Sequence, residues 1–391
     1  MMLAATVGCP ESQSSSGAAD PMMAAGGRLT IDLAALRANY ERLAARAAPA
    51  ECAAVIKADA YGLGVARVVP VLRAAGCRTF FVVTVAEARE VGALLDGGDI
   101  VYVLNGVPAG AEAMLADSGA IPVLNTLREA RRWQAFAERS GRPLPAALQL
   151  DSGMSRLGIA DGETQVLAED MAFRAAVPLR LIMSHLACAD AAADSANAAQ
   201  YARFAAIAAL FPDVPRSLAN SAGIFLDGGF RFDVARPGIA LYGAQPADTE
   251  HPEAVSPVVT LEARVLQVRD VPAGTGVGYG LTFVADRPSR LATLGVGYAD
   301  GWPRRLGGVG AAWFDGRTLP IVGRVSMDSM TIDITDLTDG ALAEGDWVEL
   351  IGPHRPIETV ALEAETISYE LLTGLGRRYQ VVTTGGEGVP A

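Results

Sequence analysis

The amino-acid sequence predicts an α/β protein, an N-terminal (β/α)8 TIM-type barrel followed by a mostly β C-terminal domain. Three observations predict it. From Leu33 onward, short apolar runs alternate with amphipathic segments of helical period, eight times in about 230 residues. Polar side chains gather at the C-terminal ends of the runs, where such a barrel keeps its active site. Beyond Gly243 the apolar pattern changes to period two, with Gly and Asp turns between the runs.

LAALRANYERLAARA, from Leu33, places its apolar residues on one helical face. Eight strands follow: AAVIKA, FFVVTV from Phe80, IVYVLN from Ile100, IPVLN from Ile121, AALQLD from Ala146, LIMSHL from Leu181, RSLANS from Arg216 and FDVARPGIALYG from Phe232. Between them lie VARVVPVLRAAG, AEAREVGALL, LREARRWQAFAERSG and ANAAQYARFAAIAALF, each with a charged and an apolar face. Lys57, Asn105, Asp151, His185, Asn220 and Arg236 each fall at or just after the end of a different strand.

The second domain reads as VVTLEARVLQV, RLATLGVGYA, LPIVGRVSMDSMTIDIT and WVELIG, with a closing helical stretch ETVALEAETISYELLTGLG. Expected boundaries are 1–27 for a disordered extension centred on SQSSSGAAD, 28–256 for the barrel and 257–391 for the β-rich domain, with a linker at AQPADTEHPEAVSP. GRLTIDL could pair into the second domain's sheet.

An apolar fraction of 51% suits two sizeable cores. A formal charge of −12 argues against a nucleic-acid surface, which needs a basic patch. Cys9, Cys52, Cys77 and Cys188 have no CxxC spacing and there are only three histidines, so no metal cluster is expected and free thiols suit a reducing cytoplasm. MMLAATVGC faintly resembles a lipoprotein signal but lacks a basic n-region, and no apolar run is long enough to span a membrane.

Lys57 is the only lysine in the 391 residues; every other cationic side chain apart from histidine is arginine. A surface ammonium is readily replaced by a guanidinium, whereas chemistry that needs a deprotonatable primary amine is not. Lys57 ends an apolar run and precedes the turn residues DAYGLG, so its amine is placed in a strand-to-helix loop. Asn220-Ser221-Ala222-Gly223 offers a hydroxyl, small residues and backbone N–H groups in the seventh loop, a common phosphate position in barrels; alone, the same stretch would serve as a helix N-cap with a tight turn.

AAVIKADAYGLG resembles the pyridoxal 5'-phosphate attachment motif of alanine racemases, and the resemblance extends from about Leu29 to Tyr379. It implies that Lys57 carries the cofactor and acts as one of two acid/base groups, with Tyr61 near the phosphate, for which Asn220 and Ser221 in the seventh loop and the Gly238 and Ile239 amides of RPGIALYG alongside are the candidate cradle. It also implies Arg236 at the ring nitrogen, buttressed by His185. A guanidinium there donates a hydrogen bond without protonating the ring, which makes a weaker electron sink suited to proton exchange at Cα. A decarboxylase of related architecture would present a carboxylate instead.

QLDSGMSRLG matches a family segment that places Arg156 near the cofactor oxygen and the substrate carboxylate. Gln149 stands where many members carry a carbamylated lysine, so hydrogen bonding alone would have to hold Arg156. The resemblance makes Tyr279 the second acid/base, puts Tyr298, Met327 and Asp328 in the substrate pocket, and sets Tyr369 at the entrance. It implies racemisation of alanine for peptidoglycan by a head-to-tail homodimer with shared sites. A racemase of serine or basic amino acids, a decarboxylase on the same barrel and a non-catalytic cofactor carrier are the alternatives.

Overall fold

Residues 24–246 and 255–386 are described by the computed structural model. The 1–27 extension and the 244–257 linker therefore lie largely outside the described residues, as does Cys9.

The eight apolar runs form eight parallel strands in a ring, each shorter than its run. Seven are joined in sequence order: Ala54–Val55, Thr79–Val82, Ile100–Val103, Ile121–Leu124, Ala146–Gln149, Leu179–Met183 and Arg216–Ser217. The eighth, Val234–Ala235, pairs with Glu51–Cys52, which runs straight into the first strand. Closure is made by the amides of Glu51, Ala53 and Val55, donating to Asp233, Ala235 and Pro237 at 2.9 Å each, and by the Asp233 and Arg236 amides donating to Arg216 and Ala219 at 2.9 Å.

The strands are buried on both faces by the barrel interior and by the outer helices, which explains their unbroken apolar text. Side-chain caps fix where the helices begin. Asp32 caps Leu33–Ala47, Thr84 caps Val85–Gly92, Thr126 caps Leu127–Arg139 and Asp194 caps Ser195–Ala208.

The run FDVARPGIALYG is strand only at Val234–Ala235, a correction to its reading as one long strand. Pro237 removes an amide from the ladder, and the chain curls at Gly238 into a 3-10 turn, Ile239–Tyr242. That curl brings the chain to the barrel mouth.

The second domain is an eight-stranded sheet in which Val259–Val271 pairs with Gly27–Asp32, Trp347–Ile351 and Ser289–Leu294 and so closes the sheet on itself. A register shift between Val265 and Gln267 allows this 13-residue strand to change partners along its length. GRLTIDL does pair into this sheet. The helical reading of ETVALEAETISYELLTGLG resolves into two short helices, Ile357–Glu363 and Ser368–Gly374, separated at Glu365, whose φ is +56°. A further strand, Gln380–Thr384, follows them and runs parallel to Gly27–Asp32. Among the described residues no helix is long and apolar enough to cross a membrane.

Candidate active site

A cavity of about 1000 Å³ opens at the C-terminal ends of the barrel strands. Lys57, Tyr61, Arg156, His185, Asn220, Ser221, Arg236, Gly238, Ile239 and Tyr369 all line it. Asn105 lines it too. Asp151 does not, because its carboxylate accepts the Gly153 and Ser155 amides at 2.9 and 3.0 Å and so shapes its own loop.

Lys57 leaves the first strand into a turn of unusual backbone. Ala58, Asp59, Ala60 and Tyr61 have φ of 53° to 57°, in the left-handed region, at a cost of roughly 1–2 kcal/mol per L-residue. The turn is closed by the Gly62 amide on Ala58 O at 2.8 Å, and Asp59 caps the next helix through the Val65 amide at 2.7 Å. Burial and the Arg156 guanidinium hold the Lys57 ammonium below its ordinary pKa, against a smaller opposing pull from Glu87. The free-base fraction of the amine is raised accordingly.

Arg236 is buried to 3% exposure and donates to the Ser217 hydroxyl and to Ser184 O. Its hydrogen bonds thus go to serine groups of the sixth and seventh strand ends, and the His185 ring is not among its partners, a correction to the expected buttress. Burial pushes the guanidinium down to about 9, which leaves it cationic at neutral pH. Burial together with Arg236, Arg156 and Lys57 pushes His185 down to about 3, so its imidazole is neutral.

At the seventh and eighth loops the Ser221 hydroxyl accepts the Gly238 amide at 2.8 Å and the Ala240 amide at 3.3 Å. Asn220 Oδ1 accepts the Gly223 amide at 2.9 Å, which is the capping role that ANSAG also allowed. Gly238 is required by sterics, since a Cβ built there would lie 2.3 Å from the Tyr61 hydroxyl. Tyr61 is in turn packed against Tyr242, with ring centroids 4.6 Å apart, and Tyr242 donates to Val55 O at 2.9 Å. The Ser221 hydroxyl and the Ile239 backbone, with the Lys57 amine lining the same cavity, fit a phosphate-bearing aldehyde such as pyridoxal phosphate.

Gln149 Nε2 donates to Leu157 O at 3.3 Å. Among the described residues Arg156 has no hydrogen-bond or ion-pair partner, so Gln149 steadies the loop and leaves the guanidinium unheld.

Tyr279, Tyr298, Met327 and Asp328 are not brought to this cavity. Tyr279 is 71% exposed, Tyr298 41% and Met327 53%. Asp328 lines a different cleft, where Arg378 Nη1 donates to it at 2.6 Å and the same guanidinium grips Asp300. Of the second domain, Tyr369 reaches the cavity, its ring 6.1 Å from that of Tyr61.

Sequence reasoning missed Gln245 and Glu358, which line the rim and are joined by the Gln245 amide donating to Glu358 Oε1 at 2.7 Å. It also missed Glu87. Each reads in the sequence as an ordinary polar residue in a linker or on a helix, and no local pattern marks its tertiary partner.

Fold and cavity together define a two-domain barrel enzyme with its reactive groups at the strand C-termini. Family models for the alanine racemase N-terminal domain and C-terminal domain match residues 31–246 and 258–383. An alanine racemase of Brucella canis is 50% identical over 369 residues, covering 91% of this chain and 93% of that one. A protein of Mesorhizobium japonicum named "alanine racemase, catabolic" is 47% identical over 363 residues, covering 93% and 94%. The crystal structure of alanine racemase from Bartonella henselae with covalently bound pyridoxal phosphate superposes with a TM-score of 0.89 at 46% identity, covering 92% of this chain and all of that one. The chain belongs to the alanine racemase family.

Proposed function

We propose that the protein interconverts L-alanine and D-alanine with pyridoxal 5'-phosphate held on Lys57, using Lys57 and Tyr279 as acid/base groups on opposite faces. The observation that carries this reading is that the chain's only lysine, its pKa lowered, lines one cavity with the buried Arg236 and the Ser221 hydroxyl. When bound, pyridoxal phosphate supplies the electron withdrawal that acidifies the Cα–H of an attached amino acid.

The protein's residues do the rest. Ser221, Asn220, Tyr61 and the amides around Gly238 and Ile239 would hold the phosphate. Arg236, fixed by Ser217 and Ser184, would donate to the ring nitrogen without protonating it, which keeps carbanion character short-lived and favours proton return. Arg156 would take the substrate carboxylate. Lys57 Nζ would remove the Cα proton on its face as the free amine or return it as the ammonium, and Tyr279 would do so on the other face as phenolate or phenol.

Tyr279 is exposed and outside its own chain's cavity, which supports a homodimer in which each subunit lends Tyr279, Tyr298, Met327 and Asp328 to the other's site. The product would supply peptidoglycan from the cytoplasm, and D-alanine-dependent growth of a strain lacking the gene tests that role. The name "catabolic" on the Mesorhizobium relative favours a degradative use instead, and growth of that strain without added D-alanine would select it.

The direct test incubates holoprotein with L-alanine and follows circular dichroism or chiral chromatography, with serine, lysine and arginine alongside. D-alanine formed faster than the other enantiomers is the expected result. A preference for serine or a basic amino acid would move the assignment within the fold, CO2 release from lysine or ornithine would make it a decarboxylase, and no turnover of any amino acid would leave a carrier.

A further inference from the structure

The left-handed turn that follows Lys57 is tied to the second barrel loop by one side chain. Glu87 lies in the first turn of Val85–Gly92, where its Oε2 accepts the Thr84 amide at 3.0 Å while Thr84 Oγ1 accepts the Glu87 amide at 3.2 Å. This capping box accounts for one carboxylate oxygen. The same Oε2 also takes the Val83 amide at 2.7 Å, and Oε1 reaches out of its own helix to the Ala58 amide at 2.9 Å. Helix capping does not require that last bond. Ala58 is the residue directly after Lys57 and the first of four with positive φ.

Among the described residues, the charges that act on the Lys57 amine are Arg156 from the loop after the fifth strand and Glu87 after the second, beside the neutral His185 after the sixth, and Tyr61, Asp190, Arg236, Glu358 and Tyr369 are the other titratable groups lining the cavity. Arg156 disfavours the ammonium and Glu87 favours it. We propose that Glu87 is a positioning residue for Lys57: its carboxylate holds the left-handed turn that places the amine at the cavity and supplies the counter-charge that offsets Arg156. The inference rests on the reading of Lys57 as the reacting amine.

The single lysine makes a test possible without cofactor or turnover. Reductive methylation of cofactor-free protein with 13C-formaldehyde gives NMR signals from Lys57 and the N-terminal amine alone, and the Lys57 signal is titrated with pH. In Glu87→Gln a carboxylate that favoured the ammonium is gone, so the midpoint is expected to move to lower pH. Glu90→Gln, exposed on the same helix, should leave it in place. A folded Glu87→Gln protein with an unmoved or raised midpoint overturns the proposal.

Should the amide variant fail to fold, Glu87→Asp decides, because it keeps the charge and retracts it by one methylene. The proposal then requires severalfold slower uptake of pyridoxal phosphate, read by visible absorbance, with a near-native midpoint; uptake at the wild-type rate overturns it. Borohydride trapping on wild-type protein is a separate reading. Its failure to label Lys57 would remove the cofactor assignment and leave the comparison of midpoints intact.

Discussion

Lys57→Ala is expected to abolish racemisation, lowering kcat by about 10⁴-fold or more, without unfolding the protein. No other side chain can form an imine with an aldehyde, because the remaining cations apart from histidine are arginines, which stay protonated at neutral pH. Borohydride reduction of the holoprotein should accordingly fix the cofactor to one internal peptide, the one containing Lys57. Label on the N-terminal amine alone would end the assignment.

Stability provides the control. The folded state lowers the pKa of Lys57, so below that lowered value the desolvated ammonium costs the cofactor-free native state free energy, a cost that disappears as pH rises through the unfolded-state value. Truncation to alanine removes the charge together with its cost. The melting temperature of cofactor-free Lys57→Ala at pH 7 is therefore expected to be no lower than that of cofactor-free wild type, and a large drop would mean that lost activity reflects lost structure.

Much of this architecture is legible in the sequence because barrel strands are buried on both faces and read as apolar runs, while the outer helices read as stripes. The ends of elements are less legible. AAVIKA contains two residues of paired strand, and the chain then turns left-handed through Ala58 to Tyr61 although none of these is glycine. Local propensity opposes that conformation; a tertiary bond from Glu87 to the Ala58 amide and a local one from Asp59 to the Val65 amide hold it.

Charge states were only partly legible. The resemblance offers His185 as a buttress for Arg236, yet Ser217 and Ser184 hold the guanidinium, and burial together with the cations around it keeps the imidazole neutral. Three-dimensional neighbours set both outcomes, and they lie on different strands. Gly238 is the opposite case. It sits in a recognisable Arg-Pro-Gly, and the close approach of the Tyr61 hydroxyl supplies the reason that nothing larger fits.

Mixing inactive Lys57→Ala with inactive Tyr279→Phe, under conditions that let subunits exchange, is expected to restore activity. Two bases acting on opposite faces of a planar group need two bodies, since a barrel mouth presents its own loops from below and around the rim. The second domain of the same chain covers part of that rim with Ser368–Gly374 and brings Tyr369 to within 6.1 Å of Tyr61, measured between ring centroids. Tyr279 lies elsewhere on that domain, 71% exposed, in a turn with Leu281 at 61%, close in sequence to Val284 at 54%. Exposed apolar side chains grouped beside a candidate catalytic phenol suit a surface that another subunit covers. In a heterodimer one site would hold both wild-type residues and the other neither. Random pairing puts half the chains into such dimers, each with one good site of two, so activity up to roughly a quarter of wild type should return. If exchange is verified by mass and no activity returns, Tyr279 either serves its own barrel after a rearrangement or is not the second base.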